Sequence, residues 1–229
     1  MTAPVTVIIP TLNVADRIGP CLGALGEALF EGILAEVIFA DGGSTDDIAK
    51  IADAVGAKLV TSPKGRGTQL AAGARMARSD WLMILHADSV LDAGWHNAVQ
   101  NHIAQKPDRA GWFRLRFDSP DWQARVVERW ATFRSFAFGL PYGDQGLLIS
   151  QRLYNVVGGY REIPLMEDVA LVRKLGRRRL IGLPCAIQTS AERYHREGWQ
   201  RRGLRNLTTL ALYLAGREPE ALVKRYEAR

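Results

Sequence analysis

Apolar residues in the first half of the chain alternate between short β-branched runs and longer sets at helical spacing. The short runs predict four strands, at residues 5–9, 36–40, 58–61 and 81–85. The segments between and after them predict four helices, at residues 16–30, 46–54, 67–77 and 94–105. Repeated strand–helix units of this length require parallel pairing with right-handed crossovers. The pattern therefore predicts a three-layer α/β fold with a mainly parallel central sheet.

The rhythm changes after about residue 109. Residues 112–117 alternate apolar and basic side chains, which is typical of an edge or antiparallel strand. The remaining pattern predicts a long amphipathic helix at 122–138, a short strand at 146–149, and helices at 166–175 and 199–215. No repeat or low-complexity linker divides the chain. We therefore expect one domain over residues 1–229, with a first half of about 1–108 and a second half of about 109–229.

The composition is that of a soluble globular protein, with 229 residues, 47% of them hydrophobic and 24% charged. Cys21 and Cys185 are too few for a disulfide framework, so we expect reduced core thiols. The first four residues lack the basic start and apolar stretch of a secretory signal. The sequence contains no run of about 18 apolar residues, so it predicts no membrane span. These features predict a cytoplasmic protein.

The net charge of +6 is unevenly placed, because residues 173–205 hold ten arginines and lysines against two acids, Glu192 and Glu197. Two interpretations fit equally: a solvated basic face, or a surface that attracts diphosphates or an anionic membrane. The basic residues lack the aromatic interleaving of a single-strand groove, which argues against a nucleic-acid partner.

Polar residues follow the first two predicted strands, at the sheet edge where ligands bind in open α/β folds. Pro10, Thr11 and Asn13 follow the first strand and suit contact with a planar base, although the same residues also form ordinary turns. Asp41 ends the second strand, and two glycines after it allow a ligand close to the backbone. The alternative for this segment is a plain turn before a helix capped by Ser44 or Thr45.

A short loop precedes the third helix, with Lys64 and Arg66 around Gly65. Glycine, cations and a helix N-terminus together suit a phosphate, and a solvated turn fits the loop equally well. The third glycine of the dinucleotide-binding fingerprint is absent.

The fourth strand runs into His86 and Asp88. Divalent ions such as Mg²⁺ or Mn²⁺ are often held by one or two carboxylates together with phosphate oxygens, and Asp88 fits that role. His86 does not supply a second carboxylate.

Two acids, Glu167 and Asp168, begin a predicted helix. They suit either a helix N-terminus, where the dipole favours acids, or a general base that removes a proton from an acceptor hydroxyl. The helix N-terminus would keep such a base ionised.

In this order and spacing, the motifs resemble the inverting nucleotide-sugar glycosyltransferases of family 2, which have the GT-A fold. The resemblance covers residues 5 to about 174. Residues 141–146 and 199–206 are similar to a narrower set of short bacterial, glycosyltransferase-like members associated with radical-SAM proteins. The resemblance implies a nucleotide-sugar-binding first half and an acceptor-binding second half.

The resemblance implies a role for each motif. A UDP- or GDP-linked donor sugar would lie against Pro10, Thr11, Asn13, Asp41, Lys64, Arg66, His86 and Asp88. Within that set, Thr11 and Asp41 would contact the base, Lys64 or Arg66 the diphosphate, and Asp88 the metal. Asp168 would be the catalytic base, with Glu167 shaping the acceptor pocket. Asp144 and Gln145 would lie near the donor sugar or the acceptor.

Two departures from the family pattern matter. His86 stands in the first place of the family's Asp-x-Asp motif, which affects the expected metal affinity. The Gln-x-x-Arg-Trp signature of processive synthases is absent, so we expect a single transfer.

Three alternatives stay open. A nucleotidyltransferase can share this sheet and metal site, and a non-catalytic nucleotide-sugar-binding protein can keep the fold. The third concerns the second half, where Trp130, Phe133, Phe136 and Phe138, with Arg129 and Arg134, would form a patch at the inner membrane face for a lipid-linked acceptor. Against that patch we favour an amphipathic helix that covers the sheet.

Overall fold

The computed structural model describes residues 4–227, with the side chains of residues 27, 29, 30 and 224–227 outside the description. The strands are β1 (Val5–Thr11), β2 (Leu34–Asp41), β3 (Lys58–Thr61), β4 (Trp81–Ile84), β5 (Val90–Leu91), β6 (Ala110–Phe117), β7 (Leu147–Ser150) and β8 (Leu180–Thr189). The helices are α1 (Gly19–Phe30), α2 (Ile48–Ala54), α3 (Arg66–Met76), α4 (Trp95–Gln105), α5 (Trp122–Phe138), α6 (Gln151–Val156), α7 (Glu167–Leu175), α8 (Glu192–Glu197), α9 (Trp199–Leu214) and α10 (Pro219–Glu227). Two 3₁₀ turns cover Gly143–Gln145 and Arg177–Arg179. The expectation about a secretory signal concerns mainly residues 1–3, which lie outside the described residues.

The strands form one eight-stranded sheet in the order β3-β2-β1-β4-β7-β6-β8-β5. β1 pairs in parallel with β2 and β4, whereas β7 runs antiparallel between β4 and β6. Helices cover both faces. The predicted three-layer α/β fold with a mainly parallel sheet is confirmed.

Residues of β1 alternate between the two faces of the sheet, as the period of a strand requires. Val7 and Ile9 pack with α1 and α4, whereas Ile8 packs with α3 and α7. All three are 0% exposed, and burial of such a side chain contributes about 1.5–3 kcal/mol. Both helical layers are therefore fixed to the sheet by its central strand.

The parallel register brings the carboxyl ends of β1, β2 and β4 together. Ile8 aligns with Ile38 on one side and with Ile84 on the other, and Thr11 aligns with Asp41. The loops after these strands therefore emerge at one edge of the sheet, which is called the site edge below.

The second half of the chain differs from its prediction. Residues 110–117 do form a strand with an antiparallel neighbour, but β6 lies inside the sheet, between β7 and β8. β8 was not predicted because Gly182 and Pro184 interrupt its apolar run, and proline is rarely found inside a sheet. The structure accommodates them with a shift in register between Trp112 and Arg114 of β6. The sequence pattern also missed β5, α6, α8 and α10.

Both cysteines are free and buried, as predicted. Burial, reinforced by the nearby charge of Asp88, raises the pKa of the Cys21 thiol to about 12, so it stays protonated. Within residues 4–227, none of the helices has the length and apolar character needed to cross a bilayer.

Candidate active site

Asp41 organises the loop after β2. Its carboxylate accepts hydrogen bonds from the Thr11 hydroxyl (3.0 Å), the Ser44 hydroxyl, and the backbone N–H groups of Gly43 (2.9 Å) and Ser44 (2.8 Å). Burial acts to raise the pKa of Asp41, but these hydrogen bonds outweigh it and lower the pKa. The carboxylate is thus ionised, and four donors from the protein itself occupy it. Ser44, one of the two residues predicted to cap α2, bonds to Asp41 instead. The N–H of Ile48 at the start of α2 is accepted by Asp46 (3.3 Å), so the predicted cap by Ser44 or Thr45 is wrong.

Thr11 lies behind Asp41 rather than at the surface. It is 0% exposed, and its hydroxyl donates to Asp41. In this structure Thr11 positions Asp41 and has no side-chain surface for a base. The structure therefore does not support the predicted direct contact between the Thr11 side chain and a nucleotide.

Asn13 joins the loops after β1 and β2. It is exposed and has a positive φ of 51°, which asparagine tolerates better than most residues. Its Oδ1 accepts the N–H of Thr45 (2.9 Å), and its own N–H donates to Ser44 Oγ (2.9 Å). These bonds hold the two loops as one polar rim, next to the half-buried Pro10.

Gln69 is a site residue that the sequence analysis missed. Its Nε2 donates to the carbonyl oxygens of Thr11 (2.8 Å) and Ala40 (2.8 Å), so α3 ties together the ends of β1 and β2. The residue is 5% exposed. The available signal was a single amide on the otherwise small and apolar buried face of α3.

Arg66 begins α3 and turns toward the centre of the site. Its Nε lies 3.3 Å from Glu167 Oε1, and its guanidinium contacts both ring nitrogens of His86. Burial lowers the pKa of His86 well below its usual range, and the positive charges of Arg66 and Arg193 lower it further. His86 is therefore a neutral imidazole beside a cation. Lys64, two residues before Arg66, is exposed.

Gly67 fixes the start of α3 against the segment that leads to α7. A Cβ at this position would lie 2.2 Å from the carbonyl oxygen of Arg161. We expect Gly67→Ala to lower the free energy of unfolding by about 1–3 kcal/mol, because the backbone of both segments must move. Gly23→Ala in α1 is the matched control: its Cβ meets nothing within 4 Å, so we expect a gain of about 0.5–1 kcal/mol. Urea denaturation measures both, and equal losses would contradict this packing.

Asp168, in the first turn of α7, is held beside the 3₁₀ turn Gly143–Gln145. Its Oδ2 accepts the N–H of Gly143 (2.6 Å) and its Oδ1 the N–H of Val169 (2.7 Å). A Cβ on Gly143 would lie 2.9 Å from His86 Nε2 and 3.3 Å from Asp168 Oδ2. The 3₁₀ turn thus brings the end of β4 and the start of α7 together.

Asp144 has an unsatisfied polar atom at this centre. Its Oδ1 is buried and has no hydrogen-bond partner within the described chain. Burial raises the pKa of Asp144; Arg134 and Arg66 lower it, whereas the charges of Asp168 and Asp88 raise it further. Buried carboxylate oxygens rarely lack a partner, so this atom suits a hydroxyl or cation of a ligand.

Gln145 has a structural role instead of the predicted contact with an acceptor. It is 0% exposed, and its Oε1 accepts from Arg134 (3.0 Å) and Ser135 (2.9 Å). Arg134 is also buried, and its guanidinium carbon lies 3.1 Å from the ring centroid of Tyr142. The structure therefore does not support direct acceptor binding by Gln145. Together these side chains anchor the 3₁₀ turn to α5.

Glu167 is almost fully buried beside Asp168. Burial, and secondarily the Asp168 charge, raises its pKa to about 7, although Arg66 acts in the opposite direction. Burial thus outweighs the helix N-terminus, which was expected to keep an acid at this position ionised.

The raised pKa of Glu167 predicts a stability change with pH. The pKa of Glu167 is higher in the folded chain (about 7) than in the unfolded chain (4.5). Its protonated form therefore stabilises the fold fully below pH 4.5, and this contribution is lost as pH rises through about 7. Relative to Glu167→Gln, we expect the wild type to lose about 3 kcal/mol of unfolding free energy between pH 4.5 and 8. Chemical denaturation across this range measures the difference. Glu162→Gln, at an exposed glutamate, is the control, and a wild type that parallels Glu167→Gln would contradict the prediction.

Asp88 is half-buried, four residues beyond the end of β4. Its charge raises the pKa values of Cys21 and Asp144, which indicates its proximity to both. The described residues contain no group of three or more His, Cys, Asp or Glu side chains that would hold a metal ion on its own. One carboxylate still fits Mg²⁺ or Mn²⁺, because these ions commonly take their other ligands from phosphate and water. The Asp144 oxygen that lacks a partner, in a carboxyl whose pKa the charge of Asp88 raises, also fits a bound cation or hydroxyl.

Arg193, on α8, is a second residue that the sequence analysis did not single out. It is exposed, and its charge contributes to the lowered pKa of His86. The second half of the chain therefore contributes a cation to the site edge. The sequence feature that pointed to Arg193 was its place in the basic run of residues 173–205, but the sequence analysis considered that run only as a whole.

Comparison with known proteins places this geometry in a family. The model of the family described as Glycosyl transferase family 2 matches residues 6–158. An uncharacterized glycosyltransferase of Mycobacterium tuberculosis is 35% identical over 91 residues, which is 39% of this chain and 39% of that protein. A counterpart in Mycobacterium bovis matches to the same extent. The aligned segment thus spans well under half of these relatives.

Solved structures share the fold at low sequence identity. S. aureus TarS, residues 1–349, in complex with UDP-GlcNAc has a TM-score of 0.62 and 16% identity over 97% of this chain and 70% of that chain. Glucosyl-3-phosphoglycerate synthase from Mycobacterium tuberculosis, in complex with Mn²⁺ and UDP-glucose, has a TM-score of 0.58 and 17% identity over 82% of this chain and 70% of that chain. These likenesses show a GT-A fold.

Proposed function

Because the chain belongs to glycosyl transferase family 2, and is a glycosyltransferase, we propose the following reaction. The enzyme moves a sugar from a nucleoside-diphosphate donor, UDP- or GDP-linked, to an acceptor hydroxyl by a single inverting displacement. Transfer occurs once per acceptor, in keeping with the missing signature of processive synthases. The predicted membership of the radical-SAM-associated subgroup remains a prediction.

The observation that carries this proposal is the junction of Asp168, Asp144 and the end of β4 around Gly143. The N–H of Gly143 orients the Asp168 carboxylate, which leaves its remaining lone pairs for a proton. Asp168 would take that proton from the acceptor hydroxyl, whose oxygen bonds to the anomeric carbon as the bond to the diphosphate breaks. The unsatisfied Asp144 oxygen would accept a hydrogen bond from the acceptor or the donor sugar.

Cations around the junction suit the leaving diphosphate. Arg66 and Arg193 provide positive charge close to His86, and Lys64 is exposed in the loop before α3. A divalent Mg²⁺ or Mn²⁺ ion, held by Asp88, would supply further stabilisation of the leaving charge. The Mn²⁺ and UDP-sugars bound by the structural neighbours support this choice.

The two halves of the chain would divide the work. Residues 1–108 would hold the donor through the polar rim of Asn13 beside Pro10, with the buried Asp41 holding the second loop of that rim in place. Residues 109–229 would supply the base, Glu167 as a wall of the acceptor pocket, and Asp144. We propose a cytoplasmic location for the enzyme.

A thermal-shift panel of UDP, GDP and other nucleoside diphosphates, each with and without Mn²⁺ or Mg²⁺, tests the donor assignment. A ligand that binds only the folded state raises its Tm. We expect one diphosphate to raise the Tm only when a divalent ion is present.

A second assay tests the alternative function, a nucleotidyltransferase. Incubation of the protein with a nucleoside triphosphate and a sugar 1-phosphate should yield no pyrophosphate. Formation of pyrophosphate would instead support the nucleotidyltransferase.

A further inference from the structure

The outward surface of α5 is mostly apolar, with Arg129 as the exposed charge within it. Exposed side chains recur at positions i, i+4, i+8 and i+11, a spacing that places them on one side of a helix. These residues, with two more at the C-terminal end, are called the aromatic face: Trp122 (69% exposed), Val126 (52%), Trp130 (41%), Phe133 (56%), Phe136 (55%) and Phe138 (59%). As favoured in the sequence analysis, α5 covers the sheet, but it does so mainly through small side chains that pack against β6, and most of its large aromatics face outward.

The rings of the aromatic face pack on one another in the open. Ring centroids are 5.8 Å apart for Trp130 and Phe133 and for Phe133 and Phe138. Phe136 lies 4.9 Å from the buried Trp112, which fixes it to β6. A contiguous exposed apolar patch of this kind marks a binding surface more often than scattered exposed residues do.

The opposite side of α5 is committed to the protein. Ala124, Ala131 and Ser135 are buried, and Arg134 points inward to Gln145. Arg134, which the sequence analysis placed in an interfacial patch, therefore does not belong to it.

The acid of α5 is also turned inward. Glu128 accepts the N–H of Phe117 (2.7 Å) and pairs with Arg125 (3.1 Å). Its charge is thus partly neutralised away from the aromatic face.

Exposed cations lie at the C-terminal end of the aromatic face and within it. The 3₁₀ turn Arg177–Arg179, called the arginine turn, is attached to the end of α5 by a hydrogen bond from Arg177 Nε to the carbonyl oxygen of Phe136 (2.8 Å). Arg178 and Arg179 of the turn are exposed, and Arg129 is exposed on the same side of α5 as Trp122 and Phe133. Not all of the basic run of residues 173–205 belongs to this surface, because Arg202 and Arg205 pair with Glu197.

We infer that the aromatic face and the arginine turn bind an anionic membrane surface, with α5 lying in the plane of the interface. Aromatic rings prefer the headgroup level of a bilayer, and arginines beside them attract anionic lipids. An apolar strip with one cation within it and three at its end matches an anionic membrane surface in both shape and charge.

Binding to the membrane is independent of the proposed transfer activity, whereas delivery of a lipid-linked acceptor to the site rests on it. α5 follows β6. Since β7 is antiparallel to both β4 and β6, β6 runs in the same direction as β4 and ends at the site edge. A helix lying in the interface would therefore hold that edge close to the bilayer.

Co-sedimentation with vesicles tests the inference. The wild type should sediment with vesicles of phosphatidylcholine and phosphatidylglycerol, bind pure phosphatidylcholine much more weakly, and dissociate as salt is raised. The triple variant Arg177→Gln, Arg178→Gln, Arg179→Gln should bind the anionic vesicles roughly 100-fold more weakly. The double variant Phe133→Ser, Phe138→Ser should bind at least about tenfold more weakly.

Matched controls change equally exposed residues elsewhere. Val55→Ser with Val156→Ser, and Arg17→Gln with Arg78→Gln, should bind like the wild type. Thermal unfolding confirms that each variant is folded, and release of nucleoside diphosphate from a donor sugar in vesicle-free solution reports the transfer site separately. The inference is overturned if the wild type does not bind anionic vesicles. It is also overturned if the arginine and phenylalanine variants bind them as well as the control variants do. A wild-type dimer that the phenylalanine variant converts to monomer, without vesicle binding, would assign the face to a second copy.

Discussion

Asp168→Asn is expected to reduce sugar transfer by about 10³-fold while donor binding is retained, since general-base catalysis contributes roughly 10²–10⁴ in rate. Asparagine keeps the size of the side chain and an oxygen that can accept the N–H of Gly143, so the 3₁₀ turn should stay in place. What the variant lacks is the ability to take a proton from the acceptor. Release of nucleoside diphosphate from the donor, with water or an added acceptor, gives the rate.

Two further measurements separate catalysis from folding for Asp168→Asn. The Tm shift with nucleoside diphosphate and metal should equal that of the wild type. Asp80→Asn is the matched control, because Asp80 is exposed and precedes β4 at the edge opposite the site. A rate for Asp168→Asn within a few-fold of the rate for Asp80→Asn would remove Asp168 from the role of base.

Asp88→Asn is expected to abolish the metal-dependent part of donor binding and to slow transfer by roughly 10²-fold or more. The reason is that a metal ion beside a developing charge is worth several kcal/mol, and Asp88 is the carboxylate that would hold it. The neutral amide is a weaker ligand for Mg²⁺ or Mn²⁺ than a carboxylate. Calorimetric titration of the diphosphate, with and without metal, measures the effect without relying on turnover.

The two aspartates should thus fail in different ways. Asp168→Asn should bind donor and not turn it over, whereas Asp88→Asn should lose the extra affinity that metal provides. An Asp88→Asn protein whose diphosphate affinity still rises with metal would mean that the ion is held elsewhere, for instance by Asp144. Asp80→Asn again serves as the control.

The first half of the fold was predictable because its signals are local. Short β-branched runs such as residues 5–9 and helically spaced apolar sets recur in order, and parallel pairing follows from their lengths. The second half was less predictable because non-local pairing overrides local preference there. β8 forms despite Gly182 and Pro184, since pairing with β6 over most of its length compensates for one irregular stretch.

The types of residue in the site were easier to predict than their contacts. Asp41 and Thr11 were identified at the strand ends, yet their mutual hydrogen bond depends on the register of β1 and β2. The family resemblance implied a place for Gln145 near the donor sugar or the acceptor, but its side chain points to α5. Gln69 and Arg193 reach the site from helices whose orientation no local pattern specifies.

The aromatic face shows the same limit. An amphipathic pattern at residues 122–138 predicts a helix with two unlike sides, but it does not say which side meets the sheet. In α5 small residues such as Ala124 and Ala131 face inward, and the large aromatics face outward. The expectation that the helix covers the sheet is confirmed, but the usual preference for burying large apolar residues does not hold in α5.

Phosphorus NMR of the protein with divalent metal and a panel of UDP- and GDP-linked sugars tests the central claim most directly. We predict that one donor yields free nucleoside diphosphate, that Asp80→Asn yields as much, and that Asp88→Asn and Asp168→Asn yield little. Formation of pyrophosphate from a nucleoside triphosphate and a sugar 1-phosphate, or equal release of diphosphate by all four proteins, would contradict a glycosyl-transfer site built on these two aspartates.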